Sequence, residues 1–257
     1  MVQEAIDSVL AQTCNDFELI VVDDGSEDGT TESLARYGSA VRIYSQPRRG
    51  VAAARNRGVA QATGVYLAFL DSDDLWLPRK LEVQIAFMRE RPWVQICQTE
   101  EIWIRDGARV NPKKKHRKPS GDIFRASLEL CLVSPSAVMM KRELFDAVGG
   151  FDETLPACED YDLWLRVARS HMVPLIGDPL VIKRGGHTDQ LSRSIWGLDR
   201  FRVAALQKLV ASGLEREKRD WALEVLKRKA TIVGLGARKR GNQEMAQHYD
   251  AVVNELS

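Results

Sequence analysis

The chain has 257 residues, of which 44% are hydrophobic and 28% charged, a balance that excludes disordered and fibrous proteins. Its 37 basic and 36 acidic residues leave a formal net charge of +1, so overall charge predicts no nucleic-acid partner. The sequence shows neither a stretch of roughly 20 apolar residues nor a signal peptide, and its four cysteines form no C-x-x-C pair. We therefore expect a cytoplasmic protein with free thiols, whose only membrane contact would be peripheral, at the inner face.

Strands and helices alternate over about the first ninety residues, which predicts an α/β domain with a parallel sheet flanked by helices. The predicted elements are, in order, an amphipathic helix at the N-terminus, a strand over 17–22, a helix over 30–37, a short strand over 41–44, a helix over 51–64, a strand over 65–70 and a helix between 78 and 92. The two prolines at the ends of the last range suit a helix start and a helix stop.

The remainder of the chain is less regular. The pattern predicts a strand-rich segment over 94–104, a basic loop over 112–119, a strand over 137–140, a helix over 142–149, an acidic helix from 159 and a strand over 180–182. Beyond Ser194 the apolar periodicity changes to long helices over 198–212, 216–234 and 242–256. We interpret these last helices as an appendage to the α/β domain.

Two predicted strands end in carboxylates. Asp71-Ser72-Asp73-Asp74 follows the apolar run 65–70, and Asp23-Asp24 follows the strand over 17–22. Because ligands of α/β proteins bind at the carboxyl ends of strands, we expect these groups to form one acidic rim. Crowded carboxylates repel one another unless a cation offsets their charge, which favours a divalent metal and a phosphorylated substrate. The alternative is capping of the next helix, but that requires only one carboxylate.

The segment from Glu159 to Val167 predicts an amphipathic helix with an acidic start. Helical spacing places Asp160 on the inward-facing side, whereas Asp162 shares the outward side with Arg166. An inward carboxylate close to a metal site is a candidate general base. The alternative is that Asp160 only complements the helix dipole.

The sequence contains further candidates among its basic residues. His187 lies in a glycine turn, where a histidine is usually a surface residue but beside a carboxylate site is a candidate metal ligand. The segment Arg55 to Arg57 could hold a diphosphate or belong to the surface. The run Lys113 to Lys118 could contact phosphate, lipid headgroups or RNA, or be a solvated loop, and no interleaved aromatic residues favour nucleic acid.

Several segments, read in order, resemble family 2 glycosyltransferases of the GT-A fold. They are 5–13, 17–30, 50–56, 69–75, 149–153 and 159–166, so the resemblance covers roughly the first 195 residues. It implies a Rossmann-like, mostly parallel sheet. It also implies transfer of a sugar from a nucleotide diphosphate, most often UDP, to an acceptor hydroxyl with inversion at the anomeric carbon. Cell-envelope polysaccharide synthesis is the expectation at the level of the family.

The resemblance also implies roles for residues on the donor side. Asp71-Ser72-Asp73 resembles the D-x-D motif, in which Asp71 would face the ribose and Asp73 would bind Mn²⁺ or Mg²⁺. Asp23 and Asp24 resemble the acidic strand end that contacts the nucleoside. Arg55 resembles an arginine near the nucleotide.

Two further roles come from the resemblance. Asp160 resembles the catalytic base of the E-D motif, and His187 resembles a histidine that closes over the donor and could also bind the metal. With a metal stabilising the leaving diphosphate, one base suffices, and the acid and base pair of a glycosidase is not needed.

The resemblance divides the chain into a nucleotide-sugar-binding half (1–95), an acceptor and catalytic half (96–194) and a C-terminal helical extension (195–257). The implied partners are a nucleotide-sugar donor and a glycan, lipid-linked or protein acceptor. Motif spacing does not specify the sugar, because sugar choice depends on the shape of the pocket.

One feature of the family is missing from the sequence. Family members open with a strand of the type V-S-V-I-I-P-x-Y-N before the first helix, and this chain begins with that helix. Because the strand is central in the family sheet, we expect an open slot with unpaired backbone groups. Two other functions stay open: a non-catalytic binding module derived from a GT-A domain, and a nucleotidyltransferase, which would release pyrophosphate.

Overall fold

The computed structural model describes residues 1–111, 113, 116–186 and 195–256. Its helices are α1 (Val2–Leu10), α2 (Thr30–Leu34), α3 (Val51–Gln61), α4 (Lys80–Glu90), α5 (Phe124–Ser127), α6 (Arg142–Val148), α7 (Glu159–Ala168), α8 (Asp199–Ala211), α9 (Arg216–Lys239) and α10 (Gln243–Glu255). Its strands are β1 (Ile20–Asp23), β2 (Arg42–Ser45), β3 (Tyr66–Ala68), β4 (Leu75–Trp76), β5 (Ile96–Arg105), β6 (Ala108–Val110), β7 (Val138–Lys141) and β8 (Leu175–Gly185). Short 3-10 helices cover Ala35–Ala40 and Pro135–Ala137.

The strands form two sheets. β1 and β2 pair in parallel, and the second sheet has the order β3-β7-β5-β8-β4, with β6 paired to β5. β3, β5 and β8 run in one direction, whereas β7 and β4 run in the other. The predicted α/β class is confirmed, but the larger sheet is mixed rather than mostly parallel. The reason is that β7 enters from a loop and β4 follows a chain reversal, so neither arrives through the crossover that a parallel neighbour needs.

A side chain rather than a strand links the two sheets. In the described part of the chain no strand pair joins them. The carboxylate of Glu18, just before β1, accepts the backbone N–H groups of Thr63 (2.5 Å) and Gly64 (3.0 Å), which lie just before β3, and pairs with Arg42 of β2. The open slot expected from the resemblance stays a prediction.

The acidic segment crosses the end of the larger sheet. β3 and β4 lie at opposite edges, although only residues 69–74 separate them. On the way the Asp71 N–H donates to Ser136 Oγ (3.2 Å), just before β7, and Asp74 Oδ1 accepts the N–H of Arg184 (2.9 Å), near the end of β8. The acidic segment therefore lies along the ends of several strands, and not at the end of β3 alone.

The C-terminal helices share the main hydrophobic core. Its buried cluster includes Phe69 after β3 and Tyr161 of α7, together with Leu206 of α8, Leu226 of α9 and Tyr249 of α10. The helices predicted over 198–212, 216–234 and 242–256 are confirmed as α8, α9 and α10. Because these helices complete the core, they are more than an appendage, while the three-part division of the chain stays a prediction.

The predicted free state of the four cysteines is confirmed. Among the described helices, none combines the length and the hydrophobicity needed to cross a bilayer.

A lysine is fully buried beneath the larger sheet. Lys80 of α4 is 0% exposed; its ammonium donates to Gln84 Oε1 (2.7 Å) and lies 4.0 Å from the centre of the Trp76 ring. Burial lowers the pKa of Lys80 to about 7, since none of its described hydrogen-bond partners is a carboxylate. The unfolded chain therefore binds one proton more than the folded protein between about pH 7 and the ordinary lysine pKa of about 10.4.

We predict that Lys80 makes the protein more stable as the pH rises from about 7 to about 10, by up to about 1.4 kcal/mol per pH unit. Lys80→Met should remove this contribution and should be most stabilising at the low end of the range. Urea denaturation at several pH values measures the slope, with Lys239→Met, at the exposed end of α9, as the control. Equal slopes in wild type and Lys80→Met would contradict a neutral Lys80.

Candidate functional site

Three carboxylates meet at the lip of the larger sheet. Oxygen atoms of Asp71, Asp73 and Asp74 all lie within 4.8 Å of one another. Among the described residues this is the one cluster with the composition of a metal site, and carboxylate oxygens are ligands that Mg²⁺ and Mn²⁺ prefer. Asp23 and Asp24 do not belong to it, so the two acidic strand ends form no single cluster of ligands.

Asp74 is the buried anchor of this acidic segment. Its side chain is 1% exposed. Its Oδ2 accepts the hydroxyl of Ser136 (2.7 Å) and lies 3.3 Å from Lys183 Nζ, while its Oδ1 accepts the Arg184 N–H. Burial raises the pKa of Asp74 to about 6, although Lys183 opposes this change. Because both oxygens are engaged by the protein, Asp74 mainly fixes the position of the segment.

Arg55 joins the acidic segment to helix α7. Its guanidinium lies 2.6 Å from Asp71 Oδ1 and 2.6 Å from Glu159 Oε1, and it stacks 5.1 Å from the Phe151 ring centre. Burial would lower the pKa of Arg55, but the charges of Asp71 and Glu159 outweigh it and raise this pKa. Arg55 and Lys183 also lower the pKa of Asp71, against the effect of burial. Arg55 and Asp71 therefore favour each other's charged forms, whereas burial and the charge of Asp160 raise the pKa of Glu159.

Asp160 lies directly beside this bridge. Its Oδ1 accepts its neighbour's N–H, that of Tyr161 (2.7 Å), and its Oδ2 accepts the thiol of Cys131 (3.3 Å). Burial, followed by the charge of Asp160, raises the pKa of Cys131 well above its ordinary value, so the thiol keeps its proton and can donate it. The half-buried carboxylate of Asp160 is thus held in a defined orientation.

The prediction for Asp162 is wrong. Its side chain is 3% exposed and pairs with Arg166 (2.6 Å) and Lys208 (3.0 Å), instead of facing solvent. Helix α8, which carries Lys208, covers the side of α7 that sequence periodicity leaves open. Arg166 is covered too, since it donates to the carbonyl of Gly150 at 2.7 Å.

Asp23 stabilises the loop that leads into helix α2, whereas Asp24 contacts the residues just before helix α3. Asp23 accepts the N–H of Ser26 (3.1 Å) and the hydroxyl of Thr31 (3.1 Å). Asp24 accepts the N–H groups of Arg49 (2.8 Å) and Gly50 (2.7 Å), immediately before α3 begins. The carboxylate of Asp24 thus fixes the backbone that leads into α3, and its negative charge is favourable near the positive end of the helix dipole. Asp24 thereby fixes the position at which the helix that carries Arg55 begins.

One predicted site residue is not among the described residues, namely His187, the candidate metal ligand. Glu159 pairs with Arg55 and not with the acidic cluster itself. The structure adds three residues that contact this cluster: Ser136, Lys183 and Arg184. A signal for the last two exists in the sequence, because two basic residues directly follow the apolar strand 180–182, as the acidic residues follow 65–70.

Comparison with known sequences identifies relatives of the chain. Residues 1–149 match the family model described as Glycosyl transferase family 2. An uncharacterized glycosyltransferase of Rickettsia felis is 34% identical over 178 residues, which are 66% of this chain but 28% of that protein. The UDP-Glc:alpha-D-GlcNAc-diphosphoundecaprenol beta-1,3-glucosyltransferase WfgD of Escherichia coli is 31% identical over 177 residues, with coverage of 68% and 67%. The chain thus spans less than a third of the Rickettsia felis relative.

Solved structures share the fold. TarS 1-349 of S. aureus, in complex with UDP-GlcNAc, has a TM-score of 0.69 at 14% identity, covering 99% of this chain and 88% of that one. The mannosyltransferase PcManGT of Pyrobaculum calidifontis, in complex with GDP-Man and Mn²⁺, has a TM-score of 0.62 at 19% identity, with coverage of 99% and 79%.

We predict that Arg55→Ala lowers the free energy of unfolding by roughly 3–5 kcal/mol, because it leaves two carboxylates without their cation. Arg55→Lys should lose less, since a lysine keeps the charge but cannot bridge both partners in the same geometry. Urea denaturation followed by circular dichroism measures the change.

Arg49 offers a matched control. It also pairs with a glutamate of the same later segment, Glu153, but this pair is 63% and 37% exposed. Arg49→Ala should therefore cost less than about 1 kcal/mol. An equal decrease in the free energy of unfolding for Arg49→Ala and Arg55→Ala would show that the buried bridge contributes no more to stability than an exposed ion pair.

Proposed function

The chain belongs to glycosyl transferase family 2 and has a GT-A-like α/β fold, and from this membership we propose that it transfers a sugar from a nucleotide diphosphate to an acceptor hydroxyl with inversion. The observation that supports the proposal is the Arg55 bridge, which links Asp71 of the acidic cluster to Glu159, the residue that precedes Asp160 in the chain. A UDP-sugar is the donor that we favour, because the Escherichia coli relative is named for UDP-Glc and TarS was solved with UDP-GlcNAc.

We assign the divalent metal, Mn²⁺ or Mg²⁺, to Asp73. Asp73 is the second aspartate of the Asp71-Ser72-Asp73 segment that resembles the D-x-D motif, and a carboxylate oxygen of Asp73 lies within 4.8 Å of oxygens of Asp71 and Asp74. We therefore expect Asp73 to hold the metal. A bound metal would stabilise negative charge on the departing diphosphate. His187 stays a proposal as a further ligand.

Asp160 is our candidate for the general base. Its carboxylate removes the proton of the acceptor hydroxyl as the oxygen attacks the anomeric carbon. A single displacement of this kind inverts the configuration and needs one base, unlike the two carboxylates of a glycosidase. The Cys131 thiol and the Tyr161 N–H support this role because they orient the carboxylate from two sides.

The nucleotide belongs, in this proposal, on the side of α3. Asp23 and Asp24 border the nucleoside and Asp71 faces the ribose. Arg55 contributes by holding Asp71 in place, and its position at the site is supported by its contacts with both acidic partners. Asp24 supports the same assignment because it fixes the start of the helix on which Arg55 lies.

We predict that UDP binding requires a divalent metal and Asp73. Calorimetric titration with Mn²⁺ should give saturable binding, which excess chelator or Asp73→Asn weakens at least tenfold, because the diphosphate then loses its bridging cation. Asp178→Asn, which changes an exposed carboxylate of β8, is the matched control. Tight binding in the presence of chelator would contradict the assigned metal site.

We predict that Asp160→Asn lowers turnover by about 10²- to 10⁴-fold and leaves UDP-sugar binding within about twofold, because only proton transfer is lost. Release of the nucleoside diphosphate measures turnover, and Asp146→Asn on the exposed face of α6 is the control. Near-normal turnover would remove Asp160 as the base. Release of pyrophosphate would indicate a nucleotidyltransferase, and binding without turnover in the wild type would indicate a binding module.

A further inference from the structure

A cleft lies on strand β5 and the basic loop that follows the β5–β6 hairpin. Its volume is about 270 Å³, close to the lower end of ligand pockets, which start at roughly 300 Å³. The lining residues come from two short segments, namely Glu100, Glu101, Trp103, Lys113, His116, Arg117 and Lys118. None of the residues assigned above to the donor, the metal or the base lines it.

The register of the sheet places this cleft beside the donor site. β5 and β8 are parallel, with Trp103 opposite Lys183, so the two side chains project from the same face. Lys183 reaches Asp74 of the acidic cluster and Ser134 (3.3 Å). Lys183 also helps Lys118 to lower the pKa of Glu101, against the effect of burial, which shows that these groups are close. Trp103 in the cleft and Lys183, which contacts the acidic cluster, therefore lie on neighbouring strands and on the same face of the sheet.

A buried ion pair holds an aromatic wall in position. Glu101 Oε1 lies 3.0 Å from Lys118 Nζ, and the two side chains are 2% and 7% exposed. Glu101 Oε2 accepts the indole N–H of Trp103 (3.1 Å). The Trp103 ring in turn lies against the imidazole of His116, with centroids 5.7 Å apart. The orientation of the indole is thus fixed before any ligand binds, which reduces the ordering cost of binding.

Cations lie at the exposed rim of the cleft. Lys113 and Arg117 line it and are exposed, unlike the buried Lys118. The guanidinium of Arg117 and the ammonium of Lys113 line the same cleft as the indole of Trp103, so the cleft has a cationic part and an aromatic part. The aromatic ring can pack against the C–H face of a pyranose, and the cations can bind an adjacent anion, for which phosphate geometry suits arginine best.

We propose that this cleft binds the acceptor of the transfer reaction, and that the acceptor carries a phosphate or diphosphate next to the sugar that receives the new residue. The sugar packs on Trp103, and Arg117 and Lys113 bind the phosphate. This inference rests on the proposed glycosyl transfer. In this proposal the basic loop recognises one phosphorylated ligand. RNA is not the expected ligand, because the formal net charge of the chain is only +1.

The first test compares two soluble probes, N-acetylglucosamine 1-phosphate and N-acetylglucosamine, by saturation-transfer NMR in the presence of UDP and Mn²⁺. We expect saturable binding of the phosphorylated sugar and at least tenfold weaker binding of the neutral one. Arg117→Ala should remove this preference, and Trp103→Ala should weaken both probes at least fivefold. Equal affinities for both probes, or no binding up to about 20 mM, would overturn the proposal, since charge-assisted contacts to phosphate are strong.

Matched variants control for indirect effects. Arg109→Ala changes an exposed arginine on β6 of the same hairpin, and Trp196→Ala removes a half-exposed tryptophan that stacks with Arg240 elsewhere. Both should leave probe binding unchanged. Trp103→Phe keeps an aromatic face without the indole N–H and should retain most of the affinity, even where Trp103→Ala fails to fold.

The outcomes separate this proposal from the proposed function. If UDP binds with Mn²⁺ and the Arg117 and Trp103 variants bind the sugar phosphate like wild type, the cleft is not the acceptor site, although the transferase assignment stands. If no nucleotide binds at all, the proposed function fails first. A second arm distinguishes two sources of the phosphate. A farnesyl diphosphate-linked N-acetylglucosamine that binds at least tenfold tighter than the free sugar phosphate indicates a lipid-linked acceptor, and equal affinity indicates a phosphorylated glycan.

Discussion

The geometry of the site depends on the guanidinium of Arg55. A buried cation is stable only when carboxylates surround it, and here Asp71 and Glu159 each lie 2.6 Å away. These partners belong to the acidic segment and to the start of α7, so one side chain of α3 connects three elements that are far apart in the chain. The Phe151 ring supports the guanidinium from one face and joins it to the aromatic cluster of Phe69 and Phe145 below. The polar site thus rests directly on the hydrophobic core.

A helix and a strand that pack beside the acidic segment offset its charge. Crowded carboxylates suggest a metal when only the sequence is considered, because no counter-charge is adjacent to them along the chain. The folded protein supplies Arg55 to Asp71 and Lys183 to Asp74. The repulsion is therefore partly offset without a metal. The same pattern continues across the sheet, where Lys118 pairs with Glu101 and Glu101 accepts the indole N–H of Trp103.

The C-terminal helices change the environment of α7. Helix α8 contributes Lys208, which pairs with Asp162, and its apolar residues complete the core beneath Tyr161. Asp162 already pairs with Arg166 of its own helix, and α8 adds a second cation to this buried carboxylate together with the packing that covers α7. Helix α7 begins with Glu159, which pairs with Arg55, and Asp160, the candidate base. The helices after residue 195 therefore support the site indirectly, through α7.

The sequence alone was sufficient for what depends on local order. The spacing of apolar residues predicts α8, α9 and α10 closely, the alternation of strands and helices predicts the α/β class, and the acidic run after β3 marks the lip where Asp71, Asp73 and Asp74 meet. Only the tertiary structure decided which partners these residues find. The mixed strand order, the crossing of the sheet by residues 69–74, the bridge from Arg55 to Glu159 and the burial of Asp162 all depend on contacts between segments distant in sequence. Periodicity describes one element at a time, so it cannot reveal which face a later helix will cover or which cation a neighbouring strand will supply.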